Sequence, residues 1–256
     1  MAQHRTTLAA DGRLRVEKVV SHAAPAQWST PYRPETRRLL WPGNATAELR
    51  NARGELFADP LTVFTLAAGE PYRMRHQAAP GERASFVVSE LEDEGLASLQ
   101  AGAAWLLAPL PLYRMRCHWR MLRAGRDGTA ATEGLLAPVL AASAPAPWQE
   151  SRAVRRVRET LAAEPGARLS LHELAEVACI TGFHLARLFR AQLGMSVHEY
   201  RHRLRLAAAL QSLEEGERDL AGLAHGLGYS SQSHFGAVFR AALGTTPALA
   251  RSRLAE

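Results

Sequence analysis

The sequence predicts an α+β protein of two domains, a β-rich N-terminal half followed by an all-α half built from two helix-turn-helix units. Three observations predict it. An internal repeat of about 50 residues fills the last hundred positions, short apolar runs broken by turn dipeptides fill the first half, and an Ala- and Pro-rich stretch, Ala141 to Trp148, separates the two textures. The boundaries drawn from this are residues 1–142 for the first domain, 143–150 for the linker and 151–256 for the second.

The bulk composition narrows the classes. With 256 residues, 47% hydrophobic and 22% charged, the chain is long enough for two ordinary cores. A net charge of +6 favours an acidic polymer as partner. Before Ser151 there are 17 basic and 15 acidic residues, and from Ser151 on 14 and 10, so the excess leans C-terminal. Lys18 is the one lysine, and the arginine, alanine and leucine bias is that of a GC-rich bacterial genome. Cys117 and Cys179 stand far apart, which excludes a disulfide framework and a cysteine zinc site. No run of about 18 apolar residues occurs and the N-terminus lacks an apolar core behind its basic residues, so a cytoplasmic location without membrane contact is expected.

In the first half, strands are expected around Arg38 to Trp41, Ala45 to Arg50, Glu55 to Phe57, Thr62 to Leu66 and Ser85 to Val88. Pro42-Gly43, Arg53-Gly54, Asp59-Pro60, Ala68-Gly69 and Pro80-Gly81 punctuate them, the spacing of a small antiparallel barrel or sandwich. Leu112, Met115, Trp119 and Leu122 then follow a 3-4-3 spacing, and after Gly125 to Gly128 a second apolar segment carries Leu135, Leu136, Val139 and Leu140. A helical hairpin over about 111–142 is expected, packed either on its own barrel or on a second copy. Trp28, Trp41, Phe64 and Tyr72 are read as core or as the wall of an effector pocket. Cys117, beside two arginines, is either a buried bystander or a thiol of lowered pKa.

The repeat begins with Leu171, Leu174, Ala175 and Ala178, an i, i+3, i+4, i+7 stripe, continues with Leu185, Leu188 and Phe189, and closes on Gly194. Leu220, Leu223, Ala224 and Leu227, then Phe235, Val238, Phe239 and Gly244, repeat it. Ser170 with Glu173 spells a capping box, and Thr181 and Ser230 or Ser231 can cap the second helix of each pair. Short paired helices crossing at a small residue are helix-turn-helix geometry. Gly228 supplies the freedom such a turn wants, whereas its equivalent is Cys179, where a left-handed conformation is strained. The joining helix, from about Val197 to Glu215, spans roughly 28 Å. That is comparable with the ~34 Å between successive major-groove faces, so one chain can read two adjacent grooves.

If Leu185, Leu188 and Phe189 face the core, Phe183, Ala186, Arg187 and Arg190 face DNA. Arg187 offers a bidentate fork to guanine, Phe183 an apolar contact for thymine methyls, and Arg190 a phosphate contact. The same construction exposes Gln232, Ser233, Gly236, Ala237 and Arg240, where only Gln232 suits a bidentate contact to adenine. The second unit is expected to anchor mainly through backbone N–H groups and Arg240. Arg201, Arg203 and Arg205 on the joining helix are read as structural or phosphate-steering.

These residues resemble the AraC/XylS family of bacterial transcription regulators. The likeness runs through Leu171-His-Glu-Leu-Ala-Glu176, Phe183-His-Leu-Ala-Arg-Leu-Phe-Arg190, Gly194-Met-Ser-Val-His-Glu-Tyr200, Arg205-Leu-Ala-Ala-Ala-Leu210, Leu227 to Arg240 and Gly244-Thr-Thr-Pro247, and covers roughly 151–256. Cys179 departs from the usual Gly, and Gly236-Ala237 from a polar and a basic residue. The resemblance implies promoter DNA and RNA polymerase as partners, activation as the outcome, a homodimer through the hairpin, and a cupin-like β-barrel that senses a small-molecule effector. The stretch Asp59 to Pro71 is similar to that sensor domain. Cupin enzymes hold a metal with His-x-His and a later Glu and His. No His-x-His occurs, Tyr72 stands where related domains carry a histidine, and His76 and His118 are isolated. No metal, cofactor or catalytic residue is therefore expected. The alternatives, a metal-dependent cupin enzyme with a DNA-binding tail or an alkylation-repair protein, need a metal constellation or a cysteine motif that the sequence does not spell.

Overall fold

The polar alternation of the first twenty residues, which no apolar run announces, forms a long hairpin. Its strands are β1 (Gln3–Ala10) and β2 (Leu14–Ser21). In a computed structural model that describes residues 3–10, 13–21, 27–76, 83–91, 96, 99–125 and 148–255, seven further strands follow. They are β3 (Arg38–Trp41), β4 (Ala47–Asn51), β5 (Gly54–Ala58), β6 (Thr62–Leu66), β7 (Arg73–His76), β8 (Arg83–Glu90) and β9 (Ala104–Leu106). They make a six-stranded sheet of order β1-β2-β8-β3-β6-β9 and a three-stranded sheet of order β5-β4-β7, with every described pairing antiparallel. All residues of β3 and β6 are buried, so the large sheet is covered on both faces there. The expectation of a closed barrel is not met among the described strands, because the register leaves β1 and β9 as open edges.

The turn before β6 shows how local chemistry sets a strand start. Asp59 is wholly buried, and its Oδ1 accepts from the Leu61 backbone at 2.8 Å and from Thr62 Oγ1 at 2.9 Å. Such an Asx turn satisfies the carboxylate inside the fold and points the chain into β6. Trp41 and Phe64 are core residues. Trp41 stacks on Phe86 at 5.2 Å and donates its indole N–H to Pro60 O, and Phe64 meets Trp148 edge-on at 6.4 Å. Trp28 instead lies between the guanidinium groups of Arg50 and Arg75, at 4.3 and 4.7 Å.

The helices are α1 (Pro109–Arg123), α2 (Arg152–Ala163), α3 (Leu171–Ala178), α4 (Gly182–Leu193), α5 (Val197–Glu214), α6 (Leu220–Gly226), α7 (Gln232–Leu243) and α8 (Pro247–Ala255). Among the described residues no helix is long and apolar enough to cross a membrane. The chain divides into two compact units, residues 1–107 with 121–149, and residues 108–120 with 150–256. Texture groups α1 with the β half, yet its residues 108–120 are compact with the second unit. There Arg116, fully buried, pairs with Glu214 at 2.7 Å, and Arg120 Nη2 donates to Ala255 O at 3.2 Å. Leu112, Met115, Trp119 and Leu122 are all buried within the single chain. The second limb of the expected hairpin and most of the linker lie outside the described residues. Burial pushes the Cys117 thiol up, against the lowering that its flanking arginines suggest in the sequence.

Candidate nucleic-acid interface

Each recognition helix is capped at its start by a hydroxyl side chain and closed at its end by a left-handed glycine. In the first unit Ser170 and Glu173 form the capping box, with Ser170 N donating to Glu173 Oε2 at 2.7 Å and Glu173 N to Ser170 Oγ at 3.2 Å. The Ser170 backbone N–H first, and then its hydroxyl, which donates to the same Glu173 Oε2 at 2.7 Å, hold the Glu173 carboxyl below the usual carboxylate range. Thr181 then caps α4 through His184 N, and Gly194 closes it in the left-handed region at φ 69°. The second unit repeats the scheme with Asp219 capping α6, Ser231 capping α7 through His234 N, and Gly244 closing it at φ 68°. Ser196 caps the joining helix α5. Eighteen residues of α5 rise roughly 27 Å.

The two turns differ where the sequence differs. Cys179 adopts φ 56°, ψ 38°, the one non-glycine at positive φ among the described residues, while its counterpart Gly228 sits at φ 77°. A Cβ at Gly228 would meet Gly166 O at 2.7 Å, so that turn requires glycine for space as well as for φ. Cys179 is exposed, and Arg156 Nη1 donates to its Sγ at 3.5 Å, a weak contact that offsets little of the left-handed strain of about 1–2 kcal/mol. Cys179→Gly is expected to raise stability by roughly 0.5–1 kcal/mol after the extra flexibility of glycine in the unfolded chain is subtracted. A denaturant titration of the full chain checks this, and a loss of stability would mean the thiol makes a contact worth more than the strain.

The inner faces of the recognition helices are anchored by Leu185, Phe189 and Leu193 in α4 and by Phe235, Phe239 and Leu243 in α7, all buried. Helical periodicity then sets what remains outside. Phe183, Ala186, Arg187 and Arg190 are all exposed on α4, as are Gln232, Ser233 and Arg240 on α7. Phe183 is 80% exposed, the most exposed large apolar side chain among the described residues. Leu188 and Val238, assigned to the inner face by the sequence pattern, are half-buried, as is Gly236. The α4 face thus offers an apolar ring beside two guanidinium groups. The α7 face offers one amide, one hydroxyl and Arg240. His184 and His234, also exposed, lie on these helices and escaped the sequence reading; His234 Nδ1 is held at 2.9 Å from Ser230 Oγ.

The arginines of the joining helix have mostly structural duties. Arg203 pairs with Glu199 at 2.6 Å. Arg205 donates to Pro165 O and Ala167 O at 3.0 and 3.3 Å and lies 5.9 Å from the Tyr229 ring centre, so it clamps the loop before α3 to the second unit. Burial first, and neighbouring cations after it, lower the pKa of Arg201 and His202. Arg158, which is wholly buried, carries no local mark in the sequence. Its Nη1 meets Glu150 Oε2 at 3.0 Å, and its Nε donates to Tyr200 Oη at 3.3 Å. Tyr200 in turn packs edge-on against Phe189 at 5.5 Å. The pair therefore ties α2 and α5 directly behind the first recognition helix.

Among the described residues no group of three or more His, Cys, Asp or Glu is placed to hold a metal ion. Tyr72 is buried, and the side chain of His76 lies outside the described set.

Comparison with known proteins bears on the second unit. A family described as "Helix-turn-helix domain" matches residues 174–253. A putative AraC-like transcription regulator of Streptomyces lividans is 34% identical over 84 residues, which are 33% of this chain and 28% of that protein. The HTH-type transcriptional activator AarP of Providencia stuartii is 36% identical over 84 residues, 33% of this chain and 62% of AarP. Among solved structures, the C-terminal domain of AraT, a response regulator from Geobacillus stearothermophilus, is 27% identical, covers 41% of this chain and 87% of its own, and superimposes with a TM-score of 0.38. The match spans less than two thirds of the length of these curated relatives.

Proposed function

We infer, from a chain whose residues 174–253 are an AraC-type helix-turn-helix domain, that the protein is a sequence-specific DNA-binding regulator of transcription and not an enzyme. The observation that carries the reading is the α4 face. There Phe183, 80% exposed, stands beside exposed Arg187 and Arg190 on a helix rigidly anchored from behind. An exposed phenylalanine costs solubility and is retained where an apolar partner, such as a thymine methyl, arrives. Arg187 reads a guanine, Arg190 and Arg240 hold phosphates, and Ala186, Gln232 and Ser233 complete the contact surface. The first unit specifies and the second chiefly anchors.

The β half is proposed as the sensing or pairing domain, a cupin-like sandwich opened at the β1 and β9 edges. A small-molecule effector, RNA polymerase and a second copy of the chain are its proposed partners, activation the proposed outcome and the cytoplasm the proposed compartment. Fluorescence anisotropy on a selected duplex tests the division of labour. Arg240→Ala is expected to weaken binding to all sequences alike and to reduce the salt slope by about 1. A change in base preference at unchanged salt slope would reverse the roles given to the two units.

A further inference from the structure

The joining helix carries a metal-ligand pattern that lies outside the proposed DNA-contact surface. Residues 198–202 read His198-Glu199-Tyr200-Arg201-His202, and all five lie in the first turns of α5. Histidines four apart on an α-helix share one face, with about 5–6 Å between their Cβ atoms. That separation lets two imidazoles close on one ion at bonds of about 2.0–2.1 Å. His-Glu-x-x-His on a helix is the arrangement in which both histidines hold zinc. His198 is exposed and His202 half-buried, so the pair opens to solvent. The two rings are close enough to interact electrostatically.

The neighbouring groups leave these nitrogens free and occupy the charges that oppose a cation. Among the described residues neither imidazole makes a hydrogen bond or an ion pair, whereas His172 faces Glu176 at 3.5 Å and His234 is held by Ser230. The three arginines beside the pair each have an engagement of their own. Arg203 pairs with Glu199 at 2.6 Å, Arg205 donates to Pro165 O and Ala167 O, and Arg201 is drawn by the Glu173 carboxylate. A dication between the two rings is therefore opposed by less than three bare guanidinium charges.

The same contacts decide what kind of centre this is. In a zinc hydrolase of this pattern the glutamate is the general base, and three protein ligands hold the ion. Here Glu199 Oε1 is committed to Arg203, and among the described residues no third ligand-type side chain joins the two histidines. Imidazole suits zinc, nickel and copper, and not magnesium, which takes oxygen ligands. We propose that His198 and His202 form a two-histidine surface site for a divalent transition-metal ion such as Zn²⁺, with water at its remaining positions. The ion binds the folded helix more tightly than the unfolded chain, so it staples the first turns of α5 and stabilises the unit that carries both recognition helices. The site goes beyond the DNA-binding reading and does not rest on it.

Isothermal titration calorimetry of the chelator-treated full chain with Zn²⁺, and with Mg²⁺ as the hard-cation control, tests the site. Saturable Zn²⁺ binding without a Mg²⁺ counterpart is expected, together with a Zn²⁺-dependent rise in the thermal midpoint. His198→Ala and His202→Ala are each expected to weaken Zn²⁺ binding at least about tenfold, since even the loss of an outer-shell partner reaches that size. His198 is exposed, so its variant decides the matter if His202→Ala does not fold. His172→Ala and His184→Ala remove exposed histidines of α3 and α4 and are expected to bind Zn²⁺ as wild type does. Absent Zn²⁺ binding, wild-type affinity in His198→Ala, an equal loss in His172→Ala, or Mg²⁺ bound as tightly as Zn²⁺ would overturn the site. Zinc-dependent cleavage of casein that Glu199→Gln abolishes would overturn its assignment as a binding site alone.

Discussion

Arg158→Ala is expected to destabilise the helical unit by about 3–5 kcal/mol, the usual cost of removing one member of a buried ion pair. The mutation leaves Glu150 charged and almost fully buried, removes the donor to Tyr200 Oη, and opens a void behind α4. Because the damage lies mostly in a buried carboxylate that loses its guanidinium partner, Arg158→Met combined with Glu150→Leu should recover most of the loss, while either single change should not. Urea unfolding of the full chain, followed by far-UV circular dichroism, measures all four forms. A loss under about 1 kcal/mol in Arg158→Ala would show that water reaches Glu150 and that the pair is peripheral.

Arg187→Ala is the second large effect, and it falls on recognition instead of folding. The side chain is exposed, so no stability change beyond about 0.5 kcal/mol is expected. If it forks onto a guanine, its loss costs ~1–3 kcal/mol of discrimination, a weakening of about tenfold to a hundredfold on the best site and far less on shuffled DNA. Arg240→Ala, by contrast, should lower both affinities together. Competition anisotropy against single-base variants of the duplex distinguishes the two. An Arg187→Ala protein that keeps both affinity and base preference would show that the outer face of α4 is a solvated surface.

The helical half was legible because its signals are local. The stripe Leu174, Ala175 and Ala178, the Ser170 and Glu173 box, and the glycines closing α4 and α7 all act within a few residues and appear where the sequence places them, while Leu171 at the head of the stripe is 42% exposed. The outward face of α4 follows from the same periodicity. Strands β3 and β6 match their expected bounds, and β4, β5 and β8 fall within a few residues. β3, β5 and β6 each end within three residues of a proline or glycine. Strands β1, β2 and β9 lie outside the expected set, and β1 is a polar edge strand whose pairing partner, and not its own pattern, defines it.

Long-range partners were the illegible part. Nothing near Arg158, Arg116 or Arg38 in the chain tells a buried arginine from a surface one. Glu150 pairs with Arg158 across a helix start, Glu214 with Arg116 across 98 positions, and Ser89 faces Arg38 only through strand register. Cys179 was legible as a conflict between residue and conformation, and the left-handed backbone is present there. The closed barrel was a fold-level analogy, which the strand order of the large sheet does not support.

The central claim is that one chain reads two successive major-groove faces through α4 and α7. Selection of duplexes from a random-sequence library by the purified full chain, repeated at two salt concentrations, tests it most directly. The account predicts an enriched site with one strongly and one weakly specified block about 10 base pairs apart, whose preference over shuffled DNA persists at the higher salt. Enrichment of no sequence, with uniform binding that disappears as salt rises, would contradict it and reduce the domain to a non-specific cationic surface.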